Sequence, residues 1–310
     1  MTDLTPAIEV RQLSKHFGQA TALAPLDLVV PRGAIFALVG HNGAGKTTLI
    51  KLLLNILRPT SGSAAILGES CTALTGASFT RIGYVSENQE MPEWMTVQGF
   101  MDYLRPFYPN WDDANLLADL DLPPDRKLSH LSRGMRMKAA LASVLAFRPP
   151  LILMDEPFSG LDPLVRDELI ETLLDRINDD NDSSSATVLI SSHDLAEIES
   201  FATHVAFLHQ GKLLFAEPMD TLTARFREVT VTLAPSGTPA PSSLPTTWLL
   251  PESSSSFFRF VHSDAETSSL EEQVRAVLPN ATGIQVEPMT LRTIFLALVK
   301  SSHPQDRSRA

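Results

Sequence analysis

Apolar positions gather in three short runs, Ala34–Val39, Leu151–Met154 and the partly β-branched Ala186–Ile190, each bounded by glycine, proline or polar residues. Runs without alternation predict strands buried on both faces of a parallel sheet and covered by helices. Ala34–Val39 ends at Gly40 and leads into Lys46–Leu57, whose apolar positions recur at helical spacing, so strand, glycine loop and helix follow in order. Between Arg81 and His130 the chain is broken by Pro92, Pro106, Pro109, Pro123 and Pro124, which favours helices with short connections over sheet. The texture changes near residue 228. From Ala234 to Ser256 the chain is rich in Pro and Ser and reads as loop or linker. Around it, Val229–Leu233, Phe257–His262 and Gly283–Glu287 read as strands, and Ala265–Leu278 and Leu291–Val299 as helices, which makes a small α/β appendage.

Composition narrows the picture. The 310 residues are 44% hydrophobic and 20% charged, as in a folded globular chain. Twenty-five Lys+Arg against 36 Asp+Glu leave a net charge of −11, so nucleic acid is not expected as a partner. Cys71 stands alone, which excludes an internal disulfide and gives no zinc or redox spacing. The start Met-Thr-Asp-Leu lacks a basic segment followed by an apolar one, so no secretory signal is expected. The longest apolar stretches fall well short of the ~20 residues of a membrane span; if a membrane is involved, another chain supplies the span.

Candidate chemistry begins at Gly40-His41-Asn42-Gly43-Ala44-Gly45-Lys46-Thr47, which matches GxxxxGK[ST] after a strand and at the mouth of a helix. Glycines there let backbone N–H groups turn toward phosphate oxygens and the helix start adds its positive end. Lys46 would reach the β- and γ-phosphates and Thr47 would ligate Mg²⁺, with Thr48 following on the helix. A loop of this kind leaves kinases, GTPases and ATPases open. Leu151–Met154 then delivers Asp155 and Glu156 at a strand end; Asp155 suits the Mg²⁺ shell, and Glu156 could polarise a water for attack on the γ-phosphate.

With these pieces in place the chain resembles the nucleotide-binding subunit of an ABC transporter. Gly40–Thr47 corresponds to Walker A, Leu131-Ser132-Arg133-Gly134-Met135 to the signature and Leu151–Glu156 to Walker B; Ser159-Gly160-Leu161-Asp162 corresponds to the D-loop and His193 to the switch histidine. The resemblance spans roughly residues 7–225. It implies two such domains closing on two ATP molecules, each site completed by the other domain's Ser132 and Gly134. It also gives Phe17 an adenine-stacking role, with an ordinary core phenylalanine as the lesser alternative. The sequence departs from the family pattern in two places. Arg133 and Met135 stand where the signature has glycine and glutamine, and Arg133 either adds a cation toward phosphate or faces solvent. Glu87 stands where the Q-loop has glutamine; it is either a metal-shell and nucleotide-site residue, with Gln89 close by, or a solvated acid.

The fold expected is therefore α/β: a P-loop NTPase ABC ATPase domain over 1–228, with an inserted helical subdomain at about 87–140. A small C-terminal α/β accessory domain follows at 229–302, and a flexible tail at 303–310. Catalysis is expected from Glu156, His193 and Lys46, and the Mg²⁺ shell from Thr47, Asp155 and Glu87. The segment Met91–Val97 would either receive a permease's coupling helix or form the subdomain's own core. The resemblance further implies a peripheral ATPase at the cytoplasmic face of the cell membrane. It would act as a homodimer, or as a heterodimer with a paralogue, and drive a separate integral membrane permease. Phe107–Asp112 points by resemblance to export. The other reading is a soluble ABC ATPase that remodels a ribosome, DNA or an assembly complex.

Overall fold

The computed structural model describes residues 5–177, 185–234, 244–265 and 270–301, and the statements below concern these; the tail expected at 303–310 and part of the Pro/Ser-rich stretch lie outside them. In chain order the strands and helices begin with β1 (Ile8–Phe17), β2 (Ala20–Val30), β3 (Ile35–Val39), α1 (Lys46–Leu53), β4 (Ser61–Ile66), β5 (Glu69–Ser70), α2 (Gly76–Phe79) and β6 (Ile82–Ser86). The helical insertion contributes α3 (Val97–Leu104), α4 (Leu116–Asp119) and α5 (Arg133–Leu145). Then come β7 (Leu151–Asp155), α6 (Pro163–Ile177), β8 (Thr187–Ser192), α7 (Leu195–Glu199), β9 (His204–His209) and β10 (Lys212–Pro218). The chain continues with α8 (Met219–Arg225), β11 (Arg227–Leu233), β12 (Trp248–Ser253), β13 (Phe257–His262), α9 (Leu270–Val277), β14 (Ala281–Pro288) and α10 (Leu291–Ser301). Two compact units result, Met1–Asp194 with Phe201–Ala216, and Leu195–Ser200 with Glu217–Ala310. The division falls ahead of the texture change near residue 228 and assigns α7 to the second unit.

In the first unit a six-stranded sheet runs in the order β10-β9-β3-β8-β7-β6. Pairing from β9 through β6 is parallel, and β3, β7 and β8 are buried along their whole length. The register sets Val39 opposite Ser192, Asp155 opposite Ser191 and Ser86 opposite Asp155. Four strands thus release their C-terminal loops side by side, the edge at which open α/β sheets hold ligands. A second sheet, β2-β1-β4-β5, is antiparallel, and its inner face joins Leu49, Ile50 and Leu53 of α1 in one core.

Ile82–Ser86 corrects the expectation of helices over sheet between Arg81 and His130, because it forms the sheet's edge strand. The reason lies in Gly83: a Cβ there would come within 2.3 Å of Val144 Cγ1, so only glycine lets the strand lie this close to α5. The helix after the glycine loop also stops short of Leu57. It ends at Leu53, with Asn55 in the left-handed region at φ +57°. Within the insertion, Tyr108 stacks on Phe147 at 3.9 Å, while Asp112 takes ion pairs from Arg148 at 2.7 Å and Arg176 at 3.5 Å. Phe107–Asp112 thereby fastens the insertion to the ends of α5 and α6. The hydrogen bond from Arg148 holds the Asp112 carboxyl below the usual carboxylate range.

The second unit carries the antiparallel sheet β12-β13-β11-β14. Here β12 corrects the reading of Ala234–Ser256 as loop. Trp248 starts a strand, is 5% exposed and stacks on Phe260 at 3.8 Å, so one large ring outweighs its Pro/Ser-rich surroundings. Val229, Val231, Phe258, Phe260, Leu270 and Val274 complete that core. The α10 pattern read from sequence holds, with Leu291, Ile294 and Phe295 buried, and the backbone N–H of Leu291 donates to Glu199 Oε1 at 2.9 Å.

Candidate nucleotide site

The loop after β3 is shaped by tight approach. A Cβ at Gly40 would sit 2.2 Å from the Leu208 carbonyl oxygen. One at Gly45, where φ is +107°, would sit 2.7 Å from that of Ala22. His41, Asn42 and Gly43 are exposed at the rim, Ala44 is buried beneath them, and Thr47 and Thr48 face out from the first turn of α1. Lys46 turns back under this loop. Its side chain is 4% exposed, and its ammonium donates to the carbonyls of Gly40 at 2.5 Å and His41 at 3.3 Å and lies 3.0 Å from Glu156 Oε1.

Strand β7 presents Asp155 and Glu156 opposite that loop. Thr47 Oγ1 donates to Asp155 Oδ1 at 3.1 Å, and the hydroxyl of Ser191 donates to the same oxygen at 2.7 Å. Ser191 Oγ also accepts from the Glu156 N–H at 3.0 Å. Burial and the Asp155 charge together push the Tyr84 phenol up. Glu156 itself sits at φ +53°, a costly backbone for a side chain of its size, and its carboxylate bridges Lys46 and His193, with His193 Nδ1 at 2.7 Å from Oε2. Lys46, Thr47, Asp155, Glu156 and His193, expected from separate motifs, are thus in one connected cluster.

Other expected residues stand elsewhere. Phe17 is half exposed at the end of β1 with the Lys15 ammonium 5.0 Å from its ring, so it is no core residue. Ser132 caps α5 by accepting from Met135 N at 3.3 Å, and Gly134 packs so closely on α6 that a Cβ would lie 3.0 Å from Val165 Cγ1. Asp162 accepts from Leu164 N at 2.9 Å at the start of α6. The Glu87 N–H donates to the Asp155 carbonyl at 3.0 Å, but its carboxylate turns to Arg133 Nη2 at 2.5 Å. Gln89 Oε1 accepts from Ser86 N at 3.3 Å. A cavity of about 740 Å³ opens beside these loops, lined by Glu87, Glu90, Met91, Glu93, Arg133 and Arg136 among others, with Trp94 exposed near it in sequence. No motif marks Ser191; its place follows from the strand register, which sets its hydroxyl opposite Asp155 at the end of a buried strand.

Among the described residues no group of three His, Cys, Asp or Glu could form a metal cage. One carboxylate, Asp155, beside one hydroxyl, Thr47, is what fits a hard cation that takes its other ligands from water and substrate phosphates. Thr47 and Asp155 therefore fit; Glu87, held by Arg133, is directed to another partner.

A glycine loop between a central parallel strand and a helix, a buried lysine beneath it and paired acids at the end of the next strand but one define a P-loop nucleotide-binding domain. A family model described as ABC transporter matches residues 23–159, and one described as AAA domain, putative AbiEii toxin, Type IV TA system matches 124–199. The bacitracin transport ATP-binding protein BcrA of Enterococcus faecalis is 30% identical over 228 residues, 72% of this chain and 73% of that protein. The ABC transporter ATP-binding protein YtrB of Bacillus subtilis is 30% identical over 225 residues, 72% of this chain and 75% of that protein. A solved ATP-binding subunit of an ABC transporter superposes with a TM-score of 0.63 at 28% identity, covering 71% of this chain and 92% of that one. A dimeric cassette bound to ADP and Pi shares the fold, with a TM-score of 0.59 at 22% identity. The chain belongs to the ABC transporter ATP-binding proteins and is an ATPase of that family. Among its described residues no helix is long and apolar enough to cross a membrane.

Proposed function

We propose that the chain hydrolyses MgATP at the cluster of Lys46, Thr47, Asp155, Glu156 and His193, as a dimer enclosing two nucleotides, and drives a separate membrane permease from the cytoplasmic face. The observation that carries this is the Glu156 carboxylate, bridged by Lys46 and His193 beside the glycine loop. Mg²⁺, when bound by Thr47 and Asp155, would neutralise charge on the β- and γ-phosphate oxygens. Lys46 supplies the fixed cation for those oxygens, and as it turns to them it releases Glu156 Oε1 to accept a proton from the attacking water. His193 keeps Glu156 oriented through Oε2 and can donate toward the γ-phosphate. The exposed ring of Phe17 suits adenine stacking, and Ser132, Gly134 and Asp162 lie on segments that would face the second protomer.

Export is the direction proposed, on the resemblance carried by Phe107–Asp112; the relatives include transport proteins for bacitracin at 30% identity and for lantibiotics at 28%, and a sulfate/thiosulfate import protein at 32%. The large cavity beside Met91 and Arg136 is the proposed seat of a permease segment; its mix of carboxylates, guanidinium groups and methionine suits an amphipathic helix end. Residues 229–302 act as an accessory domain to this ATPase. Extraction of the full chain from its native membranes in mild detergent tests the assignment: a polytopic partner should copurify and raise ATP turnover. Recovery only with ribosomes or DNA would replace it by the remodelling reading.

A further inference from the structure

The loops that leave β6 and β7 start as neighbours and then part, one running into the helical insertion and the other into α6. Their first residues are tied by the hydrogen bond from Glu87 N to the Asp155 carbonyl at 3.0 Å. Beyond that point one side chain spans both. Arg133 Nη2 donates to Glu87 Oε1 at 2.5 Å and to the Ser159 carbonyl at 2.7 Å. Its guanidinium lies over Gly160, where φ is +65° and a Cβ would stand 3.2 Å from Nη1. Ser159 N in turn donates to the carbonyl of Glu156 at 3.3 Å, so the turn that Arg133 grips is the one that carries the Glu156 carboxylate. The base of Arg133 is itself fixed, because Ser132 caps the helix before it and Gly134 after it packs against Val165 of α6.

The contacts join residues 46 and 26 positions apart in sequence. They also unite the two departures from the motif pattern, the arginine in the signature and the glutamate in the Q-loop. Opposite charges at 2.5 Å make these departures complementary: the cation at 133 neutralises the additional carboxylate at 87 and keeps it off Thr47 and Asp155. With side chains 53% and 32% exposed, such a pair adds little to global stability. Its effect is on where two loops stand.

We propose that Arg133 is a positioning residue: through Glu87 and the Ser159 carbonyl it sets the Q-loop and the Glu156-bearing turn in one arrangement at the start of the signature helix. The kinetic arm of the test rests on Glu156 as the catalytic base; the exchange arm does not.

Hydrogen exchange of the full chain without nucleotide is measured over residues 87–91 and 158–162. Arg133→Ala should speed exchange in both segments by roughly two- to fivefold, the range that loss of an exposed ion pair allows. Glu87→Gln should speed only the first. In the swapped pair Arg133→Glu with Glu87→Arg, residues 87–91 should recover while 158–162 stay fast, because a carboxylate at 133 cannot donate to a carbonyl. For ATP turnover, Arg133→Ala should lower kcat with nucleotide affinity kept, and adding Glu87→Gln to it should cost nothing further. Wild-type exchange in both segments of Arg133→Ala, no segment-specific recovery in the swap, or independent losses that multiply in the double variant would each overturn the proposal. If Arg133→Ala does not fold, Glu87→Gln and the swap decide by the same exchange pattern. A wild-type chain without turnover would count against the hydrolytic reading and leave the exchange result standing.

Discussion

Ser191→Ala is the most informative single change in the metal-side cluster. The hydroxyl is fully buried, donates to Asp155 Oδ1 at 2.7 Å and accepts from Glu156 N at 3.0 Å. Removal leaves Glu156 N with a second acceptor, the Ser191 carbonyl at 3.2 Å, so that half of the loss is small. Asp155 Oδ1 keeps only its weaker bond from Thr47 at 3.1 Å. A buried hydrogen bond to a charged group is worth about 1.5–3 kcal/mol, so the variant should lose about 2 kcal/mol. For a unit of this size that is a fall of about 4–8 °C in Tm. Thermal melts followed by circular dichroism would read it, and urea titration should show a lower midpoint with an unchanged slope. MgATP affinity should fall as well, because Asp155 is then less firmly placed. A Tm within about 1 °C of wild type together with unaltered Mg²⁺ dependence would refute the claim that Ser191 holds the Asp155 carboxylate in place for the metal proposed there.

Lys46→Ala should abolish tight MgATP binding, since it removes the buried cation beneath the glycine loop; a titration with unchanged affinity would take Lys46 out of the site. Trp248→Ala should cost about 3–5 kcal/mol and unfold the C-terminal unit while the P-loop unit still binds nucleotide, which separate unfolding transitions would reveal. Burial leaves Cys71 3% exposed and pushes its thiol up to about 12, so alkylating reagents at pH 8 should leave it unmodified until denaturant is added.

Much of the cluster of Lys46, Thr47, Asp155, Glu156 and His193 is legible in the sequence because each piece is local. The glycine loop must follow a buried strand, and acids that end an apolar run must emerge at the sheet's C-terminal edge. What escaped reading depends on register and on contacts across the chain. Ser191 matters because it stands opposite Asp155, and no spacing within its own segment shows that. The Arg133–Glu87 pair joins two motifs that were each read alone, so two departures stood as separate puzzles. Ile82–Ser86 is masked by the prolines that follow it from Pro92 onward, although Gly83 marks the closeness of α5. Trp248 made a strand where Pro and Ser suggested none, because the partner that buries it, Phe260, lies beyond the linker. The antiparallel sheet of β1, β2, β4 and β5 was not read at all; its bulges at Val10/Leu13 and Arg11/Ser14 break the alternation that signals a half-buried strand.

Glu156 is proposed as the base in ATP hydrolysis, and the substitution that puts this role to the test is Glu156→Gln. The amide keeps the shape and can still meet Lys46 and His193, but it cannot take a proton from water. Phosphate release in a stopped single-turnover assay should fall by about 10²–10⁴-fold while MgATP affinity is retained. Size-exclusion chromatography of the same sample with MgATP should show an accumulated dimer, because bound nucleotide that is no longer cleaved links two copies. Turnover near that of the wild-type chain would contradict the assignment of Glu156.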